Sequence, residues 1–302
     1  MIGLIDKVNF SISGGFTVEN KVVLLLISMV MLLSGWATEE IETDIEKINV
    51  KLSEDEIAIT FLDIPNGEAT LLHFPNEEFI LVNTGGKRSE TELKEFLNIY
   101  GVKNLKAIIV TKDEPLYTSN LKWLLERYKD AQLIAGEHSL ISQILAESEI
   151  EKWKEGNEYK YGELGIHVIH EEVNEDDTLG MDLLFRFGKN QILYMTSSDS
   201  ALEHELLTNK KLPSTNIIKV PDFGDSKGTG ERFIEYVNPQ IAIIYHKRGL
   251  LPSQDVLERL NNTWIDIYYT KQFGSVTIKL TPSDYEVITI PLKSNKPQIE
   301  PS

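Results

Sequence analysis

The feature that most constrains the fold is the order in which apolar runs and helical patterns follow one another after residue 56. Three strand-like runs come first, and strand and helix patterns then alternate to about residue 147. A second strand-rich stretch, residues 166–196, opens another alternating series. Consecutive strands favour antiparallel pairing, whereas strand–helix units favour parallel neighbours. The sequence therefore predicts an α/β (α+β) fold, a four-layer αββα sandwich of two mixed β-sheets.

Two polar stretches in the first half mark the starts of helices. Ser89 and Glu92 have the spacing of a capping box, which predicts that a helix starts there. After the apolar run that ends at Thr111, a polar turn with Pro115 precedes an amphipathic pattern over residues 120–128. A buried strand that ends in such a turn is a common place for a binding or catalytic site.

Residues 22–37 form an unbroken apolar run without charge, which predicts a membrane-spanning anchor helix before the folded domain. Lys21 precedes the run and acidic residues follow it, so we expect residues 1–21 to stay in the cytoplasm and the body to be extracytoplasmic. This describes a single-pass protein of the cell membrane. A signal peptide cleaved near Ala37 would instead give a secreted protein, but the polar lead-in is long for a signal peptide and favours the anchor.

The remaining boundaries follow from changes in composition. Residues 38–56 are acidic and polar, which predicts a juxtamembrane linker. Residues 57–292 carry the strand and helix patterns and predict one folded domain. Residues 293–302 predict a flexible tail.

The composition narrows the chemistry. The chain has no cysteine, which excludes thiolate metal sites, thiol nucleophiles and disulfides. Its net charge of -17 disfavours nucleic acid as a partner, because such a surface repels phosphates. None of the six histidines has the spacing of paired zinc ligands, and His246, at the end of a predicted strand, is the best functional candidate among them. His167 and His170 are three residues apart on a predicted strand, so we expect them on opposite faces.

Five segments resemble the metallo-β-lactamase fold superfamily, and most of all its branch attached to ComEC-type competence proteins. The stretch "FLDIPNGEATLLHFPNEEFILVNTGG" is similar to the branch's opening, in which an Asp is followed by Gly-x-Gly-Asp and later by Val-Asp-Thr-Gly-Gly. "LKAIIVTKDEPLYTSNLKWLLERY" resembles its strand, metal loop and helix, and "QILYMTSSDSALEHELL" resembles its Leu-Thr-Gly-Asp segment. "IIKVPDFGDSKGTGERFIEYVNPQIAIIYH" resembles its Lys-Val-Pro-His-His-Gly-Ser motif, and "IDIYYTKQFGSVTIKL" its closing hairpin. The resemblance covers residues 57–292 and implies a connection with bacterial DNA uptake.

The metal ligands that the resemblance implies are replaced in this chain. Active members bind two metal ions, usually zinc, and their loop motif His-x-His-x-Asp-His falls at Lys112, Glu114, Leu116 and Tyr117. The bridging Asp falls at Ser198, next to Asp199, and the two histidines of the Val-Pro motif fall at Asp222 and Phe223. The Asp of Val-Asp-Thr-Gly-Gly falls at Asn83, whereas Asp63 is unchanged.

A lysine ammonium and a leucine cannot bind a metal ion, so the two-zinc site is expected to be lost. The sequence then predicts a catalytically inactive domain with no catalytic residue and no cofactor, whose old pocket binds an unknown protein or small-molecule ligand. In that pocket we expect Lys112 to neutralise Glu114 and Asp222 by ion pairing.

Two alternatives stay open. Carboxylates alone suit Mg or Ca, and such a site would support a phosphodiesterase-like or nuclease-like hydrolase. The carboxylates available for it are Asp63, Glu114, Asp199, Asp222 and Asp225. The other alternative is a structural subunit of an envelope or DNA-uptake-type assembly.

Overall fold

The structure is a computed structural model that describes residues 50–145, 149–171, 180–209 and 212–291. The chain divides into two units, Met1–Ile45 and Glu46–Ser302, and every described residue belongs to the second. The predicted anchor at 22–37 and the predicted tail at 293–302 lie outside the described residues. Within the described ranges, no helix has the length and apolar character that crossing a bilayer requires.

The described ranges contain fifteen strands and eight α-helices, besides two short 3-10 turns, Lys87–Ser89 and Pro221–Phe223. The strands are β1 (Ile57–Phe61), β2 (Thr70–His73), β3 (Phe79–Val82), β4 (Ala107–Val110), β5 (Gln132–Gly136), β6 (Ile150–Trp153), β7 (Glu158–Tyr161), β8 (Leu164–Glu171), β9 (Met181–Phe187), β10 (Asn190–Tyr194), β11 (Ile217–Lys219), β12 (Ile241–Ile244), β13 (Asp266–Tyr269), β14 (Ser275–Leu280) and β15 (Tyr285–Ile290). The helices are α1 (Glu90–Ile99), α2 (Pro115–Thr118), α3 (Leu121–Arg127), α4 (Ile141–Ile144), α5 (Ser200–Thr208), α6 (Glu231–Val237), α7 (Gln254–Asn262) and α8 (Thr270–Phe273).

The strands form two mixed sheets, as the sequence predicts. Sheet 1 has the order β15-β14-β1-β2-β3-β4-β5-β6, and sheet 2 has the order β13-β12-β11-β10-β9-β8-β7. In each sheet, antiparallel strands pass into a run of four parallel strands, β3 to β6 in sheet 1 and β10 to β13 in sheet 2. The loops that leave parallel strands all emerge at the same edge of a sheet, which is where ligand sites form in such folds.

Three apolar layers hold the four structural layers together. The central layer lies between the sheets and includes Phe61 and Ile109 of sheet 1 with Phe185 and Ile243 of sheet 2. A second layer packs the outer face of sheet 1 against α1 and α3, and a third packs the outer face of sheet 2 against α5, α6 and α7. Each buried aliphatic or aromatic side chain contributes about 1.5–3 kcal/mol of transfer free energy. Two sheets packed face to face, each covered by helices on its outer side, confirm the predicted αββα sandwich.

The capping box predicted at Ser89 does not form. A short 3-10 turn, Lys87–Ser89, precedes α1, and the Ser89 side chain makes no hydrogen bond to the N-terminal turn of that helix. Its hydroxyl instead donates a 2.6 Å hydrogen bond back to the Gly86 carbonyl. The helix starts at the predicted place, but the serine fixes the preceding loop.

The prediction for His167 and His170 is wrong because of a β-bulge in β8. The pairing with β9 shifts between Val168 and His170, so His167 lies opposite Leu184 and His170 lies opposite Asp182. Leu184 and Asp182 are two residues apart and share a face, which places both histidines on one face as well.

Candidate functional site

A cavity of about 410 Å³ opens where loops leave the carboxyl ends of the parallel strands. Its polar walls come from the loops after β4, β10, β11 and β12, and Gly180 contributes from the position just before β9. The residues that line it are Lys112, Glu114, Leu116, Gly180, Ser197, Ser198, Asp199, Asp222, Phe223, Asp225, Lys227, Lys247 and Leu250. Both sheets therefore contribute to one site.

Lys112 is the central charge of this cavity. Its ammonium lies 2.9 Å from Glu114 Oε1 and 3.2 Å from Asp222 Oδ1, and only 10% of its side chain is exposed. Burial by itself lowers the pKa of Lys112, but the Asp222 and Glu114 carboxylates outweigh it and raise that pKa above its ordinary value. The lysine is therefore a fixed positive charge at neutral pH, and the predicted ion pairing is present.

A left-handed turn aims Asp222 at this lysine. Asp222, Phe223 and Gly224 have φ angles of 43°, 60° and 82°, a region that costs a residue with a side chain about 1–2 kcal/mol. Tyr117 is fully buried and donates a 3.1 Å hydrogen bond from its hydroxyl to Asp222 Oδ1. Phe223 packs in the layer between the sheets. Packing and hydrogen bonding thus hold a strained turn at the site, as is common where function resides.

The loop that carries Asp225 and Lys227 is fixed from behind by Glu203 of α5. The Glu203 carboxylate accepts hydrogen bonds from the backbone N–H groups of Thr229 and, at 2.9 Å, Gly230. Burial raises the pKa of Glu203, while these two N–H groups act in the opposite direction. The cavity wall is consequently held by a side chain that does not line it.

The side chains around the cavity do not fit a divalent cation. The Lys112 ammonium lies between Glu114 and Asp222, where a metal ion would need those oxygens as ligands. Asp199 accepts two backbone N–H groups of α5, and Asp225 accepts the backbone N–H two residues further on. Within the described ranges, no three His, Asp or Glu side chains converge as metal ligands would.

Beneath the cavity, Glu68 and Lys219 form an ion pair that joins the two sheets. Glu68 lies on the loop that leads into β2, Lys219 lies on β11, and both side chains are fully buried. The Lys219 ammonium also donates a 2.8 Å hydrogen bond to the Met195 carbonyl and lies 4.8 Å from the centre of the Tyr194 ring. Burial raises the pKa of Glu68 to about 7, and the Lys219 charge opposes that rise.

Asn83 belongs to a buried network of neutral hydrogen bonds beside this pair. Its Nδ2 donates to Thr111 Oγ1 at 2.9 Å and to the Tyr194 hydroxyl at 3.3 Å. Thr70 Oγ1 lies 2.6 Å from the Tyr245 hydroxyl, which donates to a backbone carbonyl. Burial raises the pKa of both tyrosines, so the network carries no charge at neutral pH. A metal ion would find neutral hydroxyls and an amide here.

The structure brings most of the predicted positions together. Lys112, Glu114, Leu116, Ser198, Asp199, Asp222 and Phe223 line the cavity. Tyr117 and Asn83 lie buried beneath it. Asp63 and His246 do not line it, and they lie beside one another, with Asp63 Oδ1 3.8 Å from His246 Nδ1.

Comparisons with solved structures decide the fold. The metallo-β-lactamase fold protein YhfI from Bacillus subtilis superposes with a TM-score of 0.55 at 11% identity, over 75% of this chain and 100% of that one. A diphosphatase from the PhnP family superposes with a TM-score of 0.50 at 11% identity, over 74% of this chain and 98% of that one. This chain has the metallo-β-lactamase fold.

Two curated sequences support the narrower resemblance of this metallo-β-lactamase-fold chain to the ComEC-type branch. ComE operon protein 3 of Bacillus subtilis (strain 168) is 25% identical over 256 residues, which is 74% of this chain and 33% of that protein. Recombination protein 2 of Haemophilus influenzae is 23% identical over 248 residues, which is 78% of this chain and 30% of that protein. The chain thus spans about a third of the length of these relatives. No protein-family model matches the sequence.

Sequence reasoning missed the buried ion pair and two cations of this metallo-β-lactamase-fold site. Lys219 matches the Lys of the Lys-Val-Pro motif, and Glu68 falls at the Asp of Gly-x-Gly-Asp, so motif alignment contained the signal for the pair. Lys227 and Lys247 lie on loops without any distinguishing pattern, and only the structure places them at the cavity.

Proposed function

We propose that this chain is a catalytically inactive, membrane-tethered metallo-β-lactamase-like domain that acts as a binding module outside the cytoplasmic membrane. The observation that carries this proposal is the Lys112 ammonium, which contacts Glu114 and Asp222 at the old metal position. A resident cation makes these carboxylates unavailable to a metal ion, while the ion pair supplies the charge balance that keeps the cavity folded.

The cavity retains charges that a ligand can use. Lys227 and Lys247 make no ion pair among the described residues, and Asp199 and Asp225 accept only backbone N–H groups there. Lys247 also lies 5.3 Å from the centre of the Phe223 ring. Cations and carboxylates side by side suit a ligand that carries both signs of charge, such as a protein segment or a polar small molecule.

The two curated relatives support a place in an assembly of the DNA-uptake type. Attachment to the cell membrane through residues 22–37 is part of the proposal and is supported by the uncharged apolar run there. Because the chain matches only about a third of each relative, the activity of the whole relatives is not transferred. The net charge of -17 makes a protein contact in such an assembly more favourable than direct contact with DNA.

Metal analysis combined with a hydrolysis assay tests the loss of catalysis. The full chain, purified without chelator, should contain substoichiometric zinc, manganese and magnesium. It should not hydrolyse bis(p-nitrophenyl) phosphate above the buffer rate when these ions are added. About one bound metal ion per chain, lost together with hydrolysis in Glu114→Gln, would establish the hydrolase with a carboxylate-held metal instead.

Affinity capture from the membranes of the source organism tests the binding role. Lys227→Glu/Lys247→Glu reverses the two free cations of the cavity and should lose any partner that the unaltered chain captures. Lys122→Glu/Lys129→Glu makes the same charge change on exposed residues at α3 and should keep it. Equal capture by both variants would show that the partner does not bind in the cavity.

A further inference from the structure

A second concave surface lies at the other end of the sandwich. Its volume is about 430 Å³, within the range of pockets that bind small ligands or single side chains. It is formed where β1 begins and by the turns β2–β3, β7–β8, β9–β10 and β14–β15. We call this surface the acidic groove. The residues that line it are Glu54, Asp55, Glu56, Ile57, Phe74, Pro75, Asn76, Glu78, Gly162, Glu163, Phe187, Gly188 and Pro282.

The floor of the acidic groove is apolar and held by tight contacts. Ile57, Phe74 and Phe187 belong to the layer between the sheets and show 4–7% of their surface. Gly188 has a φ of +57°, and a Cβ there would lie 2.0 Å from the Pro282 carbonyl oxygen. The β9–β10 turn of sheet 2 and the β14–β15 turn of sheet 1 are therefore in direct backbone contact. This contact fixes the shape of the groove without a bound partner.

The rim of the groove is acidic and only partly neutralised by ion pairs. Five carboxylates line it, and no lysine or arginine is among its described lining residues. Lys279 lies 2.9 Å from Glu56, and Lys106 lies 3.0 Å from Glu78, so those two carboxylates are paired. Glu54, Asp55 and Glu163 are exposed and have no ion-pair partner among the described residues. Three free negative charges thus surround an apolar floor.

We infer that the acidic groove docks a polypeptide segment that places one large apolar side chain on the floor, with lysines or arginines beside it. Charge complementarity selects this occupant, because anionic lipid surfaces and nucleic acids would be repelled by the rim. A second copy would present the same acidic surface and be repelled as well. The groove is separate from the cavity at the other end, so this inference does not rest on the proposed function.

A synthetic peptide with one central phenylalanine and lysines on both sides tests the inference by calorimetric titration of the full chain. The variant Glu54→Gln/Asp55→Asn/Glu163→Gln should weaken binding about tenfold, since each exposed charge pair contributes about 0.2–1 kcal/mol. The exposed positions chosen make unfolding of this variant unexpected. The affinity should also fall as salt is raised.

Matched controls separate docking from general attraction to an acidic protein. Glu231→Gln/Glu235→Gln/Glu258→Gln removes the same charge from exposed positions on α6 and α7 and should change the affinity less than twofold. A peptide with serine in place of phenylalanine should bind more weakly than the original. Equal loss in both triple variants, equal affinity of the two peptides, or no binding would overturn the inference. Self-association that the groove variant abolishes would also overturn it.

Discussion

Lys112 joins three parts of the site through one side chain. Its ammonium contacts Glu114 on its own loop and Asp222 on the loop after β11, and it lies 5.7 Å from the centre of the Tyr117 ring. All three partners occupy positions where the superfamily pattern has metal ligands. The lysine ammonium is a covalently attached charge that balances two carboxylates here, whereas active members bind metal ions from solution at these positions.

Replacing Lys112 by methionine should therefore destabilise the fold. Lys112→Met leaves Glu114 and Asp222 partly buried and repelling one another, and we expect a loss of about 2 kcal/mol in the free energy of unfolding. Urea denaturation measures the change, and Lys122→Met, on the exposed face of α3, is the matched control. Equal effects of the two substitutions would show that the ion pairs contribute nothing to stability.

The Glu68–Lys219 pair is buried more deeply than the ion pairs of Lys112, because neither of its side chains is exposed to solvent. Removing one partner leaves the other as an unpaired charge in the interior, which costs about 3–5 kcal/mol. We expect that cost in Glu68→Gln, whereas Lys219→Met should cost less near neutral pH because the buried Glu68 carboxyl, whose pKa is already raised, can take up a proton. The double variant should recover most of it, because no buried charge remains.

Denaturation of the three variants completes this double-mutant cycle. The coupling energy is expected to be several times larger than for an exposed pair such as Lys94–Glu90, in which about half of each side chain is exposed. Additive losses would contradict the expectation and would mean that the two charges are stabilised independently.

At the scale of single elements, the end of α7 shows how the chain stops a helix without glycine. Trp264 has a φ of 59°, its N–H donates to Asn261, and the next N–H, of Ile265, donates to Leu260. This is the Schellman pattern, whose left-handed position usually holds glycine. The indole is 94% exposed, so packing does not offset the backbone strain.

Trp264→Gly is expected to stabilise the protein relative to Trp264→Ala. Both substitutions remove the exposed indole, but only glycine relieves the left-handed strain, which corresponds to about 1 kcal/mol. Thermal or urea denaturation of the two variants measures the difference. Equal stability would indicate that the helix end relaxes to another conformation when the tryptophan is absent.

Among the single elements, the sequence predicts the fully buried strands and misses the polar strands at the edges of the sheets. The apolar runs that became β1, β4 and β12 are buried throughout, and their pattern leaves little choice. β6 and β7 are the outermost strands of their sheets. Their polar sequences, IEKW and EYKY, lack the apolar pattern that predicts a strand. Trp153 of β6 is buried through a stack on Tyr159 of β7, a contact between two sheets that no local pattern encodes.

Some residues of the cavity can be located from motif positions in the sequence, and others cannot. Motif positions place Lys112, Glu114 and Asp222 on loops that meet, because strand order fixes where those loops emerge. The contribution of Lys247 depends on a turn after β12 that folds back through a bridge between Lys247 and Leu250. Gly249, with a φ of +79°, stands at the third position of that turn and marks it as a turn, but the residue types do not indicate that it brings Lys247 to the cavity.

For the molecule as a whole, Glu68 gives the free energy of unfolding a dependence on pH. Its pKa rises from 4.5 in the ordinary state to about 7 in the folded protein, so the folded state holds more protons than the unfolded chain between these values. Stability from this group is therefore complete below about pH 4.5 and decreases as the pH rises towards 7, by about 2–3 kcal/mol.

Denaturation curves collected between pH 4 and 8 check this expectation. Other carboxylates titrate in the same range, so the relevant quantity is the difference between the unaltered chain and Glu68→Gln/Lys219→Met. The free energy of unfolding of the unaltered chain minus that of the double variant should decrease steadily as the pH rises from about 4.5 to 7, and it should level off above about pH 7.5. A difference that is constant from pH 4 upward would show that Glu68 is ionised throughout.

The position of that pair, with Glu68 on the loop before β2 of sheet 1 and Lys219 on β11 of sheet 2, has a consequence for cooperativity. Either sheet alone would expose its half of the apolar layer between the sheets to water and would lose the partner of its charge, which disfavours any partly folded species with one sheet intact. The described domain is thus expected to melt in a single two-state transition, and fragments cut between the sheets should not fold separately.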